Sequence, residues 1–479
     1  MKTKKFLPVL LVLLSLSCNY VMRAFEQPTP TPAVPTATST PQPSVTPQPS
    51  PTPASTLTPS PTAVEAGLYI PPSCQGQPLA TVIPSTEVAI PTPQLDPNPP
   101  IPRDEQLQVF DDMTSRIKKV YLYPDFNGVD WPGLVTKSRA KVSAGLDTSA
   151  FYDEMDQLVQ ALGDDHSQFQ APNQVAQLDA ELSGHNDFVG IGIQFIPLLE
   201  KKSLTILAVF PDSPAEHAGL KAHDSILAVD GLPLVENGQG YYWRVRGPQC
   251  SASLLTVQSP GGEPRQVMLI RNHITTTAPV VAQMVKTTDG SRIGYIFLPS
   301  FFDETLPAQV HKALLEFGTL DGLVIDNRAN GGGSSDVVEP ILSFFAHGKL
   351  GSSVTRTRTS PLIVEADPVN NSQEVPLVVL VGQDTASFGE IFSGILQDTG
   401  RAKVAGQTTL GNVEILHPYS FADGSRIWVA EERFVPPVSH ADWEKDGIRP
   451  DLEAYAPWET FSFETDPGIA AALQLLGHK

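Results

Sequence analysis

The chemistry in this 479-residue chain gathers around Ser387. It lies in VPLVVLVGQDTASFGEIFSGILQDTG, where the apolar, β-branched run 375–381 reads as a strand buried on both faces. A turn over 384–387 follows. From Phe388 the residues Phe388, Ile391, Phe392, Ile395 and Leu396 recur at helical spacing until Gly400. A serine at a strand-to-helix turn meets free N–H groups and the positive end of the helix dipole, which favour developing negative charge. The same place is ordinary N-cap ground, where the serine oxygen only satisfies the first amides. A second group is His166, in the turn Gly163-Asp164-Asp165-His166-Ser167. Imidazole titrates near neutrality and a nearby carboxylate can orient it, so His166 could move a proton; a solvated turn residue is the plain alternative. A third feature is Asn327-Arg328-Ala329-Asn330-Gly331-Gly332-Gly333, which follows the apolar strand 321–326. It is neither GxGxxG nor GxxxxGK[ST], which weighs against a nucleotide. Glycines do let backbone N–H groups approach a carbonyl with no side chain intervening, as an oxyanion hole requires.

Composition narrows the possibilities. The formal charge is -20, with no block of Lys or Arg beyond the first few residues, so the clustered cations that nucleic acid requires are missing. Three cysteines have no metal-ligand spacing, and the ten histidines include no HExxH or close pair. No metal and no cofactor are expected.

The N-terminus reads as export followed by a tether. MKTKKF is a basic n-region and 7–16 an apolar core too short to span a bilayer comfortably, giving a signal peptide over 1–18. Its end, Leu-Ser-Leu-Ser-Cys, resembles the lipobox of bacterial lipoproteins, which implies lipidation of Cys18 and a membrane anchor. Ser15 stands where that motif prefers leucine. Residues 19–102 form a Pro/Thr/Ser-rich segment with little to bury, expected to be an extended, disordered linker. Cys74 lies within it and could pair with Cys250 after export, free or intermolecular thiols being the alternatives.

Three folded parts are expected beyond the linker. A helical N-terminal domain at 103–181 carries amphipathic spacing in 107–120 and 131–142, then a helix capped near Asp147 and ending before His166. The span 182–273 is β-patterned, and "SPAEHAGLKAHDSILAVDG" resembles the PDZ domains of bacterial proteases. That resemblance implies a groove binding extended chain ends, with Val189, Gly190, Ile191 and Gly192 in the loop that holds the terminal carboxylate. Strands and helices alternate over 274–479, with further strands at 414–416, 426–429, 432–435 and 451–455 and a terminal helix at 468–476.

In this order, the helical lead-in, the PDZ-like insert, "IDNRANGGG", "VPLVVLVGQDTASFGEI", "GQTTLGN" and "DGIRPD" resemble the carboxyl-terminal processing peptidases and the tricorn core protease. The resemblance implies an α/β, crotonase-like (ClpP-like) βαβ core, and a serine peptidase acting on peptides or proteins. It makes Ser387 the nucleophile, with the Gly332 and Phe388 amides as oxyanion donors. One departure stands out. The processing peptidases use a lysine base in a Gly-Lys-Gly context, and that place here holds Asn412, an amide that cannot accept the serine proton. The tricorn branch implies His166 as base and Glu444 behind it, with Asp446 as a competitor for the second role. Imidazole is also the best side chain for a base working near pH 7. An inert, PDZ-containing peptide-binding adaptor on the same fold is the alternative that Asn412 keeps open.

Overall fold

The computed structural model describes residues 68–77, 97–164, 166–182, 188–236, 238–275 and 279–478. The expected signal peptide, Cys18 and most of the Pro-rich linker lie outside them.

The lead-in begins with helices Arg103–Val120, Trp131–Ala144 and Thr148–Gln160. The third starts where Asp147 accepts from the Ala150 N–H at 2.9 Å, as its sequence suggests. Phe110, Met113, Ile117, Phe151, Met155 and Leu158 bury their helical faces against Ile427, Val429 and Ala430 of the strand Arg426–Val435. This packing ties the lead-in to a distant part of the chain. Gln168–Gln170, just past His166, pairs antiparallel with the same strand, and the Ala430 N–H donates to Ser167 Oγ at 3.0 Å. The sequence suggested two strands at 426–429 and 432–435; the structure has one of ten residues. It stays continuous because it serves successive neighbours: Ile415–Ser420 along most of its length and Gly348–Val354 at its end.

The insert is an antiparallel β-unit with its own core of Ile193, Leu204, Ile206, Ile226, Leu255 and Val257. Its strands run in the order Arg265–Ile270, Ala252–Gln258, Ser225–Val229, Ser203–Val209, Ile193–Leu198, the last at one edge. Phe188–Gly190 pairs with Asn272–Ile274, so the incoming and outgoing chains lie side by side. Val189 and Gly190 are thereby built into a ladder, while Ile191 and Gly192 turn the chain into the edge strand. Gly192 has φ 80°, and a Cβ there would lie 2.3 Å from Ser213 Cβ. Ser213 caps the short helix Pro214–His217, so no larger residue fits at Gly192 without moving that helix.

The linker expectation fails locally. Cys74 and Cys250 form a disulfide with S–S 2.07 Å, and Tyr69 stacks on His217 with ring centroids 3.5 Å apart. The cross-link and this stacking hold residues around 69–77 against the β-unit despite their Pro-rich surroundings.

The remaining domain is built on a sheet in the order Val281–Val285, Ile293–Phe297, Gly322–Asp326, Leu377–Val381, Lys403–Gly406, Leu452–Glu453. The first pair is antiparallel and the others parallel. Alternation along the strands sends Leu323, Ile325, Val379 and Val381 to one face, under helices Leu306–Phe317, Ser335–Phe345 and Phe388–Asp398. Val324, Val378 and Leu380 face the other way, toward helix Pro467–Leu476 and toward Ile196, Leu207 and Ala208 of the β-unit. Both faces are covered, which explains the unbroken apolar runs. The serine turn and the glycine turn leave adjacent parallel strands at their carboxyl ends, where open α/β sheets place ligands.

Candidate active site

Ser387 occupies the N-cap position of helix Phe388–Asp398 but makes no capping hydrogen bond with its side chain. Its backbone is at φ 52°, ψ -127°, a conformation that costs a non-glycine residue about 1–3 kcal/mol. The surroundings hold it there. The Ser387 N–H donates to the Asn412 carbonyl at 2.6 Å, and the Ala386 N–H donates to the Asn330 carbonyl at 3.1 Å. Thr385 Oγ donates to the Asn327 carbonyl at 2.8 Å. A strained, uncapped serine on a sharp strand-to-helix turn is the geometry of a nucleophile elbow.

Asn327 and Asn330 are buried and fasten the glycine turn to the serine helix. Asn327 Nδ2 donates to the Gly389 carbonyl and to Ser393 Oγ, each at 2.8 Å. Behind them Arg328 pairs with Asp326 and Asp466 at 2.6 and 2.5 Å. The expected role of Gly332 changes here. Its N–H is already donated to Asn330 Oδ1 at 2.9 Å, so in this conformation it is not aimed at a substrate. What Gly332 supplies is space. At φ 102°, a Cβ there would lie 2.7 Å from Ser387 Cβ and 3.1 Å from the Phe388 nitrogen. Phe388 N–H, beside the serine at the helix start, therefore faces a gap that only glycine leaves open.

On the other side, His166 is held by its turn and by carboxylates. Asp164 Oδ1 accepts from the His166 and Ser167 N–H groups at 3.0 and 2.7 Å, shaping the turn. His166 Nε2 lies 2.9 Å from Glu444 Oε1. The other oxygen of Glu444 accepts from the Val413 N–H at 2.7 Å. That N–H belongs to the same peptide bond as the Asn412 carbonyl that holds the Ser387 N–H. One peptide plane thus joins the serine turn to the histidine–carboxylate pair. Asp446 instead pairs with Arg449 at 3.0 Å.

Burial alone would lower the His166 pKa. The hydrogen bond and charge of Glu444, with Glu414 and Asp164 beyond, outweigh it and hold the imidazole above its ordinary value. Glu414 is pushed up to about 7 by burial, against the opposing Tyr123 hydrogen bond and the His166 charge. Tyr123 Oη donates to Glu414 Oε1, and Glu414 Oε2 lies 3.8 Å from His166 Nε2. Glu390, on the first turn of the serine helix, is also raised to about 7 by burial. It accepts from the Gly411 and Asn412 N–H groups at 2.8 Å each and so fixes the two peptides that lead into the one bridging the two halves.

Asn327, Asn330, Glu390 and Glu414 were missed in the sequence. Glu390 left a signal, a carboxylate amid the apolar residues of a buried helix, three positions after the serine. Glu414 left none.

Known proteins resemble this chain along most of its length. The profile of Peptidase family S41 matches residues 292–454, and that of the Tricorn protease C1 domain matches 102–160. A carboxyl-terminal-processing protease of Synechocystis sp. is 31% identical over 372 residues, covering 75% of this chain and 84% of that protein. The chain belongs to the carboxyl-terminal-processing protease family. It is a serine-type peptidase whose substrates are peptides or proteins. The chloroplastic C-terminal processing peptidase of Tetradesmus obliquus is 28% identical, covering 73% of this chain and 77% of its own. Among solved structures, a photosystem II D1 C-terminal processing protease is 26% identical with TM-score 0.50, covering 73% of this chain and 92% of its own. A Bacteroides fragilis S41 protease at 16% identity and TM-score 0.54, covering 76% and 96%, supports the shared mixed α/β fold alone. At position 412, where the sequence resemblance leads to the expectation of a lysine, the main chain of Asn412 and Val413 holds the serine and Glu444.

Proposed function

We propose that this serine peptidase works by a serine–histidine mechanism in place of the serine–lysine one. The observation that carries it is the 2.9 Å contact of His166 Nε2 with Glu444, whose second oxygen is held by the peptide that also holds Ser387. A carboxylate only accepts, so Nε2 carries the proton and Nδ1 keeps the lone pair. Ser387 Oγ attacks the scissile carbonyl carbon and gives its proton to Nδ1. Collapse of the tetrahedral intermediate breaks the C–N bond, and the imidazolium returns the proton to the leaving amine. Water, activated by the same imidazole, then hydrolyses the acyl ester. Glu444 steadies the imidazolium, and the Phe388 N–H, at the positive end of its helix, stabilises the oxyanion.

We read the core as crotonase-like and the β-unit as a PDZ domain that engages chain ends. The edge position of Ile193–Leu198 supports this, since an extended peptide can add there as a further strand beside the Ile191–Gly192 turn. The basic and apolar N-terminus and Cys18 support export and lipid anchoring, and the Cys74–Cys250 disulfide fits an oxidising compartment. A fluorophosphonate probe tests the mechanism on the purified chain. Labelling is expected in the wild type, absent in Ser387→Ala and strongly slowed in His166→Ala. Unchanged labelling in His166→Ala would refute the serine–histidine reading. Turnover of peptides with varied C-termini, with and without Ile193–Leu198 edge substitutions, tests the PDZ reading.

A further inference from the structure

We propose that His166, Glu414 and Glu444 form a site for a divalent transition metal, zinc by the character of its donors, and that occupancy switches hydrolysis off. His166 Nε2 and one oxygen from each carboxylate lie within 4.8 Å of one another. The nitrogen is 2.9 Å from Glu444 Oε1 and 3.8 Å from Glu414 Oε2. Two ligands on a tetrahedral zinc ion are separated by roughly 3.4 Å, given bonds of about 2.0–2.2 Å. The two nitrogen–oxygen separations bracket that value, and the carboxylate oxygens lie within 4.8 Å of each other, so modest side-chain shifts would complete the set.

A second, independent observation points to a ligand. The Glu414 side chain is only 2% exposed, and its Oε2 has no hydrogen-bond partner among the described residues. A buried carboxylate oxygen left in this way is unfavourable, and a cation shared with His166 and Glu444 would satisfy it. The remaining oxygens are already held from behind, by Tyr123 Oη on Glu414 and the Val413 N–H on Glu444. Such outer contacts orient carboxylates in metal sites. Imidazole with two carboxylates suits zinc better than magnesium or calcium, which prefer all-oxygen sets. Glu444, at 26% side-chain exposure, is the member of the set that solvent reaches, and water would be the fourth ligand. His166 lies more than two hundred residues before both carboxylates, which is why no spacing motif betrayed the set.

Metal binding stands on these contacts alone; the loss of activity rests on His166 being the base. A metal on Nε2 takes that nitrogen's lone pair, so the ring's single proton moves to Nδ1. With Nδ1 already protonated, the ring has no lone pair left to take the serine proton.

The test is calorimetric titration of Zn²⁺ into the metal-free full chain, with Co²⁺ as a visible reporter of four-coordinate binding and Ser387→Ala as a non-hydrolysing background. We expect one site per chain, no competition from Mg²⁺, and inhibition by Zn²⁺ that EDTA reverses and that follows the binding curve. Glu414→Gln should weaken binding by more than the ~10–100-fold typical of losing an outer-shell partner. Tyr123→Phe should weaken it within that range, which covers the case in which Glu414→Gln fails to fold. No stoichiometric binding, or binding indifferent to Glu414→Gln, Tyr123→Phe and His166→Ala alike, overturns the proposal. Zinc bound through these residues without inhibition upholds the site and instead removes His166 as the base.

Discussion

The two halves of the candidate site are built by different means. The serine half is made of backbone: a parallel strand, a sharp turn and a helix start, held by the Asn330 and Asn412 carbonyls and by Asn327. The histidine half is made of side chains from three distant segments, meeting through Glu444, Glu414 and Tyr123. Backbone geometry of that kind is over-determined, because several hydrogen bonds from neighbouring turns fix the same short segment between strand and helix. Side-chain geometry can be exchanged one residue at a time. On the proposed serine–histidine mechanism the nucleophile turn is kept while the base differs, and the asparagine at position 412 would be an instance of that freedom.

The largest expected effect tests whether the halves act together. Ser387→Ala and His166→Ala should each lower kcat/KM by ~10⁴–10⁶, and the double variant should be little worse than either alone. Steady-state hydrolysis of a fluorogenic peptide reads this directly; additive losses would mean that the two residues do not share a step.

Glu444→Gln comes next, with an expected loss of ~10³–10⁴. It carries a pH signature as well. As a base His166 must be neutral, and its raised pKa places the acidic limb of kcat/KM above the ordinary imidazole value of about 6.5. Removing the Glu444 carboxylate removes the hydrogen bond and charge that raise the imidazole most and leaves burial, which favours the neutral ring. The limb should therefore move to lower pH while the plateau falls. A limb that stays in place would assign it to another group, of which Glu390 and Glu414, both raised to about 7, are the nearest candidates.

On the serine half, Gly332→Ala should cost ~10²–10³ in kcat, comparable to loss of an oxyanion donor. Its Cβ would press on Ser387 Cβ and the Phe388 nitrogen, and alanine would be strained at φ 102°. Thermal unfolding together with kcat tells the two apart: a stable but slow variant locates the damage at the substrate gap.

The same contrast explains what could be read in advance. Strand 377–381, the turn at Ser387 and the helix after it announce themselves by β-branched runs giving way to helical spacing, because local sequence fixes local backbone. The helix ending before His166 and its Asp147 cap were legible for the same reason. The ten-residue strand Arg426–Val435 looks like two in sequence because it changes neighbours along its length, and its pattern reflects tertiary contacts. Glu414 could not be found, since its meaning comes from Tyr123 and His166, hundreds of positions earlier. That the Gly332 N–H is already engaged, and not free for the donor role expected of it, was not legible, because sequence does not show that the Asn330 side chain accepts it.

The smallest expected effect falls at position 412, and it is the one that probes the join. The contacts there are made by the main chain: the carbonyl receives the Ser387 N–H, and the 412 N–H goes to Glu390. Asn412→Ala keeps both and should change kcat/KM by no more than about tenfold, the side chain carrying neither proton nor charge in the proposed mechanism. Asn412→Lys introduces a cation beside Glu444 and Glu390, which competes for the carboxylate that steadies the imidazolium. A modest loss is expected, with the acidic limb moving to lower pH because His166 now faces a neighbouring positive charge. A gain in Asn412→Lys that survives His166→Ala would show that the serine half accepts a base from either direction. The division between a fixed nucleophile and an exchangeable base would then hold within a single chain.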